Sequence, residues 1–224
     1  MSDLVATDRR TFVRRRVMSL CGVVPLGVFT LAHLLAMAQA VRGPEAFSGA
    51  LARLTPLRMA LEAALIGVPL LVHAGIGLSI ATKARPNVGS YPYSGNLAWA
   101  LQRASGVVVL LFLLVHLWEY RVKVLLGQTA SADFHTDLVA SLSSAGPFGF
   151  PVHAVAYLLG VAATVYHLAN GVVGFSASFG LVTSARALHR VQLFSNVLGA
   201  LLFLLSAATV IHLATGTATP WGRS

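Results

Sequence analysis

The sequence is poor in charged residues and almost without cysteine. Only 10% of its 224 residues are Asp, Glu, Lys or Arg, whereas 56% are hydrophobic. In a soluble domain about a quarter of all residues are charged. This composition therefore excludes an ordinary soluble domain and indicates an integral membrane protein. The only cysteine, Cys21, excludes a disulfide within the chain and a cysteine-based metal site.

Acidic residues are scarcer than basic ones, and the formal net charge is +9. This excess does not indicate nucleic acid, because much of it lies directly before the first apolar run. A basic segment in that place is typical of a cytoplasmic N-terminus, and its expected partner is anionic membrane lipid. The residues are Arg9, Arg10, Arg14, Arg15 and Arg16.

Five long apolar runs predict five transmembrane helices. Each is close to the length of about 20 residues that crosses a bilayer as a helix, and lipid leaves no partner for unpaired backbone groups. We therefore predict an all-α integral membrane protein, a helical bundle formed by one domain over residues 1–224. The predicted helices cover about residues 17–41, 57–81, 97–126, 151–178 and 189–215.

The distribution of basic residues also predicts the topology. With a cytoplasmic N-terminus, loops 82–96 and 176–188 face the cytoplasm, and loops 42–56 and 127–150 face the opposite side. The last of these loops contains no Lys or Arg. A cleavable signal peptide is the alternative for the first run, but this run is much longer than a signal core of about 7–15 residues.

Four runs each carry one histidine, roughly two-thirds of the way along: His33, His73, His116 and His167. Ionisable side chains inside a membrane are expensive and usually functional. Consecutive helices run in opposite directions, so the depth of these histidines must alternate between two levels that are on the order of 10 Å apart. This predicts an outer pair, His33 with His116, and an inner pair, His73 with His167.

Two pairs of histidines indicate two haems. One plate-like, axially ligated cofactor needs two histidines, and Gly171 and Gly174 form a strip without side chains near His167. Two imidazoles fill both axial positions of an iron, so such a haem carries electrons and does not bind dioxygen or substrate. The alternative is a haem-free transporter or scaffold in which these histidines make interhelical hydrogen bonds.

Four other histidines lie in a loop or near helix ends, where water or headgroups are expected to solvate them. His153 is the most plausible substitute for His167 because both lie on the predicted fourth helix, but its outer position would break the pairing. The loop residue is His135, and the residues near helix ends are His153, His189 and His212.

The chain resembles the dihaem cytochrome b membrane subunit of succinate:quinone oxidoreductases, the five-helix type of certain bacterial succinate dehydrogenases and fumarate reductases. The resemblance covers nearly the whole chain. One histidine on each of the first four helices separates this type from cytochrome b of the bc complexes, but less well from the dihaem subunits of respiratory hydrogenases or nitrate reductases. The motifs are Ser19-Leu-Cys-Gly22-Val-Val-Pro25-Leu-Gly27 with His33, then His73, Gln102-Arg103-Ala-Ser105-Gly106 before His116, and His167-Leu-Ala-Asn170-Gly171.

The resemblance implies a membrane anchor in the cytoplasmic membrane of a bacterium, with a flavoprotein and an iron–sulfur subunit on the cytoplasmic side. Electrons from succinate would pass to the inner haem b, the outer haem b and then a quinone, with menaquinone expected. Outward movement of an electron across an inside-negative membrane releases up to about 2.3 kcal/mol of free energy per 100 mV of membrane potential. The chain itself is expected to contain no succinate site, since no Gly-rich flavin-binding turn follows a strand pattern.

The resemblance also implies residues that bind the haem propionates near the cytoplasmic face. Ser19 and Trp99 occupy positions comparable to propionate contacts in the family, and Arg103 is added because of its charge and depth. Anchoring at the membrane interface is the alternative role for all three.

Quinone reduction takes up protons, so a carboxylate is wanted near the outer face. Glu45, in the first outer loop, and Glu62, early in the second helix, are the candidates, with a merely solvated charge as the alternative for each. Glu62 is nearer the level of His33, whereas Glu45 is closer to the spacing that the family has before the histidine of the second helix. Some fumarate-reducing members carry a glutamate two residues before the last haem histidine, where this chain has Val165. This departure favours the succinate-oxidising direction.

Overall fold

The structure, a computed structural model, describes residues 2–54, 59–130, 133–146 and 149–215. These residues form helices and no strand, and five stretches are long and apolar enough to cross a membrane. The predicted all-α membrane protein with five transmembrane helices is therefore confirmed. We call these stretches the first to fifth spans: Arg9–Arg42, Ala63–Ala81, Ser94–Leu125, Val152–Ser178 and Ala185–Thr215.

Several spans consist of more than one helical segment, including 3-10 and π turns. The α-helices are Ser2–Val23, Pro25–Met37, Pro44–Leu54, Met59–Glu62, Val68–Ala81, Ser94–Leu117, Lys123–Leu125, Phe134–Ser143, Val152–Ser178 and Ala185–Thr215. A 3-10 turn covers Ala38–Arg42, and π turns cover Ala63–Gly67 and Trp118–Val122.

The helix bounds differ from the predicted ones mainly at helix starts. The first helix begins at Ser2, so the basic N-terminal segment is helical and continuous with the span, and the fifth span begins at residue 185 instead of 189. Hydropathy marks only the apolar part of a helix and does not report a charged extension of it. The predicted start of the second helix at residue 57 lies outside the described residues.

Two helices, Pro44–Leu54 and Phe134–Ser143, occupy stretches that the sequence predicts as loops. Pro44 at the first helical position and Glu45 in the first turn favour a helix start. Both helices are too short to span a bilayer and carry polar residues on one face, so a search for long apolar runs misses them. His135, predicted to lie in a loop, is therefore on a helix; its Nε2 lies 3.3 Å from the carbonyl oxygen of Ala40.

The chain forms two compact units. The first unit comprises Met1–Thr30, Arg58–Val107 and Tyr166–Gly199, and the second comprises Leu31–Leu57, Val108–Val165 and Ala200–Ser224. In the first unit, helix Ser2–Val23 packs against Val68–Ala81, and in the second, Pro44–Leu54 packs against Phe134–Ser143. The single domain over residues 1–224 stays a prediction.

Membership of the units alternates along the chain. The first, third and fifth spans begin in the first unit and end in the second, whereas the fourth begins in the second unit and ends in the first. The second span lies entirely within the first unit, and the reversal of direction between consecutive spans stays a prediction. His73 and His167 belong to the first unit, and His33 and His116 belong to the second.

Large apolar side chains are exposed along the spans. Leu71 is 74% exposed, Leu159 is 62% exposed and Leu204 is 63% exposed. Exposed apolar area on this scale would be unfavourable in water but is expected where lipid covers the helices. The apolar interior of the second unit instead gathers Ala40, Phe47, Leu138, Leu142, Ala154, Tyr157, Val210 and Leu213.

We expect Gly43→Ala to destabilise the protein. Gly43 has φ 102° and ψ 173°, and a residue with a side chain pays on the order of 1–3 kcal/mol in this region. Denaturant unfolding of the purified protein in detergent measures the change. Gly49→Ala is the control, because a methyl group at Gly49 on helix Pro44–Leu54 meets open space and should stabilise by about 0.5–1 kcal/mol. Equal stability of the two variants would contradict the strain at Gly43.

Candidate functional site

The structure brings His33 and His116 together in the second unit. Their ring centroids are 5.7 Å apart and their ring planes are inclined by 80°. Phe112, one turn before His116 on the third span, stacks on its ring at a centroid distance of 5.7 Å and an angle of 26°. A Cβ at Gly160 would collide with the Phe112 ring, so the absence of a side chain at Gly160 allows this stacking.

The first unit contains a second pair of the same form. The ring centroids of His73 and His167 are 6.0 Å apart and their planes are inclined by 87°. Gly22 and Gly106 make room for these two rings: a Cβ at Gly22 would collide with His73, and a Cβ at Gly106 would lie 2.8 Å from Cε1 of His167. Glycine in both positions therefore lets each imidazole lie against the backbone of a neighbouring helix.

Both separations fit an axially ligated metal. With metal–nitrogen bonds of about 2 Å on each side, two axial imidazoles have ring centroids roughly 6 Å apart. No group of three or more His, Cys, Asp or Glu that could hold a metal ion occurs in the described part of the chain. Each pair thus offers two ligands, which is what an iron porphyrin needs, because the porphyrin nitrogens occupy the other four positions.

The Nδ1 atoms of three of these histidines have partners that fix the rings. His73 donates its Nδ1–H to the carbonyl oxygen of Met18 at 2.8 Å, and His167 donates to the carbonyl oxygen of Gln102 at 3.1 Å. The Nδ1 of His116 lies 3.4 Å from the hydroxyl of Tyr157. Metal-binding histidines usually donate the second ring N–H in this way, and this leaves Nε2 as the atom that could bind a metal in each.

Side-chain amides join the third and fourth spans beside His167. Gln102 donates its Nε2–H to the carbonyl oxygen of His167 at 3.1 Å, and Asn170 donates to Oε1 of Gln102 at 2.9 Å. The Ser105 hydroxyl lies 3.2 Å from Nδ1 of His167. These bonds hold the backbone and the ring of His167 at the same time. Beyond them, a Cβ at Gly174 would meet open space and one at Gly171 would be 3.6 Å from Gln102.

The first unit also contains a basic cavity of about 400 Å³. One of its lining residues, Ile76, is one turn from His73, and none of the described residues that line the cavity is acidic. The Nε of Arg103 is buried and has no hydrogen-bond partner among the described residues, while its Nη1 donates to the carbonyl oxygen of Trp99 at 2.8 Å. The cations in the lining are Arg14, Arg15, Lys83, Arg85 and Arg103.

This cavity is suited to an anion. Five cations with no carboxylate among the described lining residues create a positive potential. A buried N–H donor without a partner is costly unless a ligand or water satisfies it. Trp99 and Arg103 both line the cavity, and the guanidinium of Arg103 lies over the Trp99 ring at 3.6 Å. Carboxylate groups match the lining in charge and in hydrogen bonding.

Two comparisons with known proteins bear on this chain. The family model for the succinate dehydrogenase/fumarate reductase transmembrane subunit matches residues 80–173. The succinate dehydrogenase cytochrome b558 subunit of Bacillus subtilis (strain 168) is 38% identical over 184 residues, which cover 81% of this chain and 86% of that protein. The chain belongs to the succinate dehydrogenase/fumarate reductase transmembrane subunit family. No solved structure matches it.

Membership of the succinate dehydrogenase/fumarate reductase family confirms the resemblance found in the histidine motifs. It identifies the chain as a membrane subunit of an oxidoreductase complex. The matched residues 80–173 include His116 and His167, one member of each pair. The ligand roles of the four histidines stay predictions.

The other predicted site residues of this family member lie in different surroundings. Ser19 is half-buried and follows Met18, whose carbonyl binds His73, but it is not among the residues that line the basic cavity. Glu45 is exposed in the first turn of helix Pro44–Leu54 and belongs to the same unit as His33 and His116. Glu62 is half-buried and belongs to the other unit.

Sequence analysis missed a carboxylate beside the His33/His116 pair. Glu119 lies three residues after His116, and its Oε2 accepts a hydrogen bond from the Tyr157 hydroxyl at 3.0 Å. Its Oε1 is 2.9 Å from Nε2 of His153, a residue that was expected to be solvated at a helix end. The spacing from His116 was a usable signal, since residues three apart on a helix share a face.

We expect a measurable coupling between Gln102 and Asn170, because each amide satisfies the other inside a span. A double-mutant cycle of Gln102→Ala and Asn170→Ala, measured by unfolding in detergent, should give about 0.6–1.7 kcal/mol, the range of interhelical hydrogen bonds in membranes. The control cycle combines Gln102→Ala with Asn96→Ala, because Asn96 donates to Tyr91 instead. Additive effects in both cycles would show that the observed amide bond contributes nothing.

Proposed function

We propose that this chain is the cytochrome b membrane-anchor subunit of a succinate dehydrogenase complex. In this role it carries electrons from an iron–sulfur subunit to a quinone through two haems b, each held by two histidines. The observation that supports the proposal most directly is the presence of two separate histidine pairs at 5.7 and 6.0 Å. A single pair would serve one haem, and isolated histidines would serve none.

In this proposal the two histidines of each pair would hold a haem iron through Nε2. The haem would supply a one-electron carrier. The chain's part is to orient the imidazoles. Met18 and Gln102 do this for His73 and His167 through backbone carbonyl oxygens, which are held within helices.

The basic cavity is the proposed binding place of the propionates of the His73/His167 haem. One lining residue, Ile76, is one turn from His73. Another, Arg103, directly follows Gln102, and its Nε has no hydrogen-bond partner among the described residues. Arg14, Arg15, Lys83 and Arg85 were not predicted for this role; they join Trp99 and Arg103 in the lining. Ser19 stays a candidate through its neighbour Met18.

The proposed partners are a flavoprotein and an iron–sulfur subunit on the cytoplasmic side of a bacterial inner membrane. The relative from Bacillus subtilis is named as a subunit of succinate dehydrogenase, and the N-terminal arginines support a cytoplasmic N-terminus. The succinate site is then in the flavoprotein, because this chain offers no flavin-binding motif.

Menaquinone is the proposed electron acceptor, bound near the His33/His116 haem. Glu45 shares a unit with that pair and is exposed, so of the two predicted proton donors it is the better placed; Glu62 stays the second candidate. Val165 is 4% exposed within an apolar cluster and offers no proton-carrying group two residues before His167. This supports the succinate-oxidising direction, in which the membrane potential contributes about 2.3 kcal/mol per 100 mV.

Histidine substitutions test the number of haems and their pairing together. We expect the purified chain to contain two haems b, and each of His33→Ala, His73→Ala, His116→Ala and His167→Ala to contain one. Because partners share a haem, the double variant His73→Ala/His167→Ala should still contain one, whereas His116→Ala/His167→Ala should contain none. Haem per chain, from the pyridine haemochrome and a reduced-minus-oxidised spectrum, is the measurement.

Two histidines serve as controls in this series. His189 is exposed on the fifth span, so His189→Ala should keep both haems and full stability. His135→Ala should also keep both haems, with some loss of stability because its ring packs against Phe47. A chain without any low-spin haem band would overturn the proposed function, and loss of a haem from either control would overturn the ligand assignment.

Removal of the positive charge of Arg103 should lower the reduction potential of one haem only. A nearby cation favours the reduced, more negative state, so Arg103→Gln is expected to shift one midpoint downward by on the order of tens of millivolts. Optical redox titration of the complex measures both midpoints. Arg190→Gln is the matched control, because Arg190 is exposed in the same unit and outside the cavity lining. Equal shifts in the two variants would argue against propionate binding in the cavity.

A further inference from the structure

A hydrogen-bonded chain leads from His116 to two ionisable side chains that the proposed function does not use. The Nδ1 of His116 lies 3.4 Å from the Tyr157 hydroxyl, which donates to Oε2 of Glu119 at 3.0 Å. The other oxygen of Glu119 is 2.9 Å from Nε2 of His153. Because the Tyr157 proton goes to Glu119, the Tyr157 oxygen is left to accept from His116.

The members of this chain are held by packing as well as by hydrogen bonds. Tyr157 is 7% exposed, and its ring contacts Phe112 and His116 at centroid distances of 5.1 and 6.1 Å. The Glu119 side chain is 17% exposed and that of His153 is 35% exposed. The arrangement therefore runs from a buried imidazole to a half-exposed one, and Glu119 is the only carboxylate in it.

The backbone around Glu119 is also unusual. Residues Trp118–Val122 form a π turn that directly follows helix Ser94–Leu117. Such turns are uncommon and occur frequently at functional sites. Within this turn the Tyr120 ring is 5.3 Å from that of His116, and Glu119 accepts the hydrogen bond from Tyr157.

A carboxylate on the non-ligating side of an imidazole changes the reduction potential of the metal that the imidazole binds. An acceptor on the second ring nitrogen fixes the tautomer and the ring plane and makes the ligand nitrogen more basic. More basic ligands stabilise the oxidised iron more than the reduced iron. His73 and His167 receive this support from neutral backbone carbonyls, whereas His116 receives it from a hydroxyl polarised by a negative charge.

We propose that Glu119 is a positioning residue for the haem of the His33/His116 pair. Acting through Tyr157, it fixes the ring of His116 and lowers the reduction potential of that haem. The inference rests on the proposed function, because it requires His116 as an iron ligand. At 3.4 Å the bond from His116 to Tyr157 is long, so the effect on potential is moderate.

Redox titration of the intact complex, followed optically, tests the proposal. Glu119→Gln keeps the size of the side chain and removes its charge, and should raise one haem midpoint while the other stays unchanged. The expected change is about threefold to tenfold in the one-electron equilibrium, or roughly 30–60 mV. Tyr157→Phe should raise the same midpoint, and the double variant should shift no further than Tyr157→Phe alone, because Glu119 acts through Tyr157.

Asp137→Asn is the matched control for a general effect of charge. Asp137 lies in the same unit and accepts from Thr129 at 2.8 Å instead of Tyr157. An unchanged midpoint in Glu119→Gln, an equal shift in Asp137→Asn, or additive shifts in the double variant would each overturn the proposal. The low-spin haem signals in electron paramagnetic resonance provide a second reading, since a change in the ring plane of His116 alters one signal only. Two haems with an unmoved midpoint would refute this inference alone, whereas absence of haem would refute the proposed function.

Discussion

The arrangement of the spans depends on one constraint: an imidazole placed within an apolar helix must have partners for its nitrogen atoms. Water does not reach these positions in lipid, and an unpaired polar group there costs several kcal/mol. Met18, Gln102 and Tyr157 satisfy the Nδ1 atoms of His73, His167 and His116. In the proposed function, the Nε2 atoms then bind an iron porphyrin between the rings of each pair.

Small residues allow the helices to approach closely enough for these hydrogen bonds. An imidazole reaches a backbone carbonyl of a neighbouring helix only if no side chain keeps the two helices apart. Gly22 and Gly106 lie where His73 and His167 press on the adjacent helix, and Gly160 has the same role for Phe112, which stacks on His116. The glycines of the sequence motifs therefore have a packing reason that is separate from any contact with a cofactor.

The sequence predicts the number of spans and which histidines lie near each other, because the first follows from hydropathy and the second from the predicted alternating direction of consecutive helices. It does not predict helices Pro44–Leu54 and Phe134–Ser143, whose apolar faces are short and are buried by tertiary contacts with each other and with the spans. His153 is predicted as a solvated residue near a helix end, and Glu119, 34 positions away in the numbering, is not predicted to contact it. That contact and the five cations of the basic cavity bring together side chains that are far apart in the sequence, which no local pattern records.

The two histidine pairs differ in the groups that lie at the Nδ1 atoms of their rings. His73 and His167 rest on backbone carbonyl oxygens, whose partial charge is fixed by the helix and does not change with conditions. Behind His116 are a tyrosine, a carboxylate and a half-exposed histidine, all of which can gain or lose hydrogen-bond partners. One pair is thus electrostatically fixed, with cations nearby in its unit, and the other is adjustable, with an anion nearby in its own unit. Cations favour a reduced iron and anions an oxidised one, so under the proposed function the protein would give two haems with identical ligands different reduction potentials.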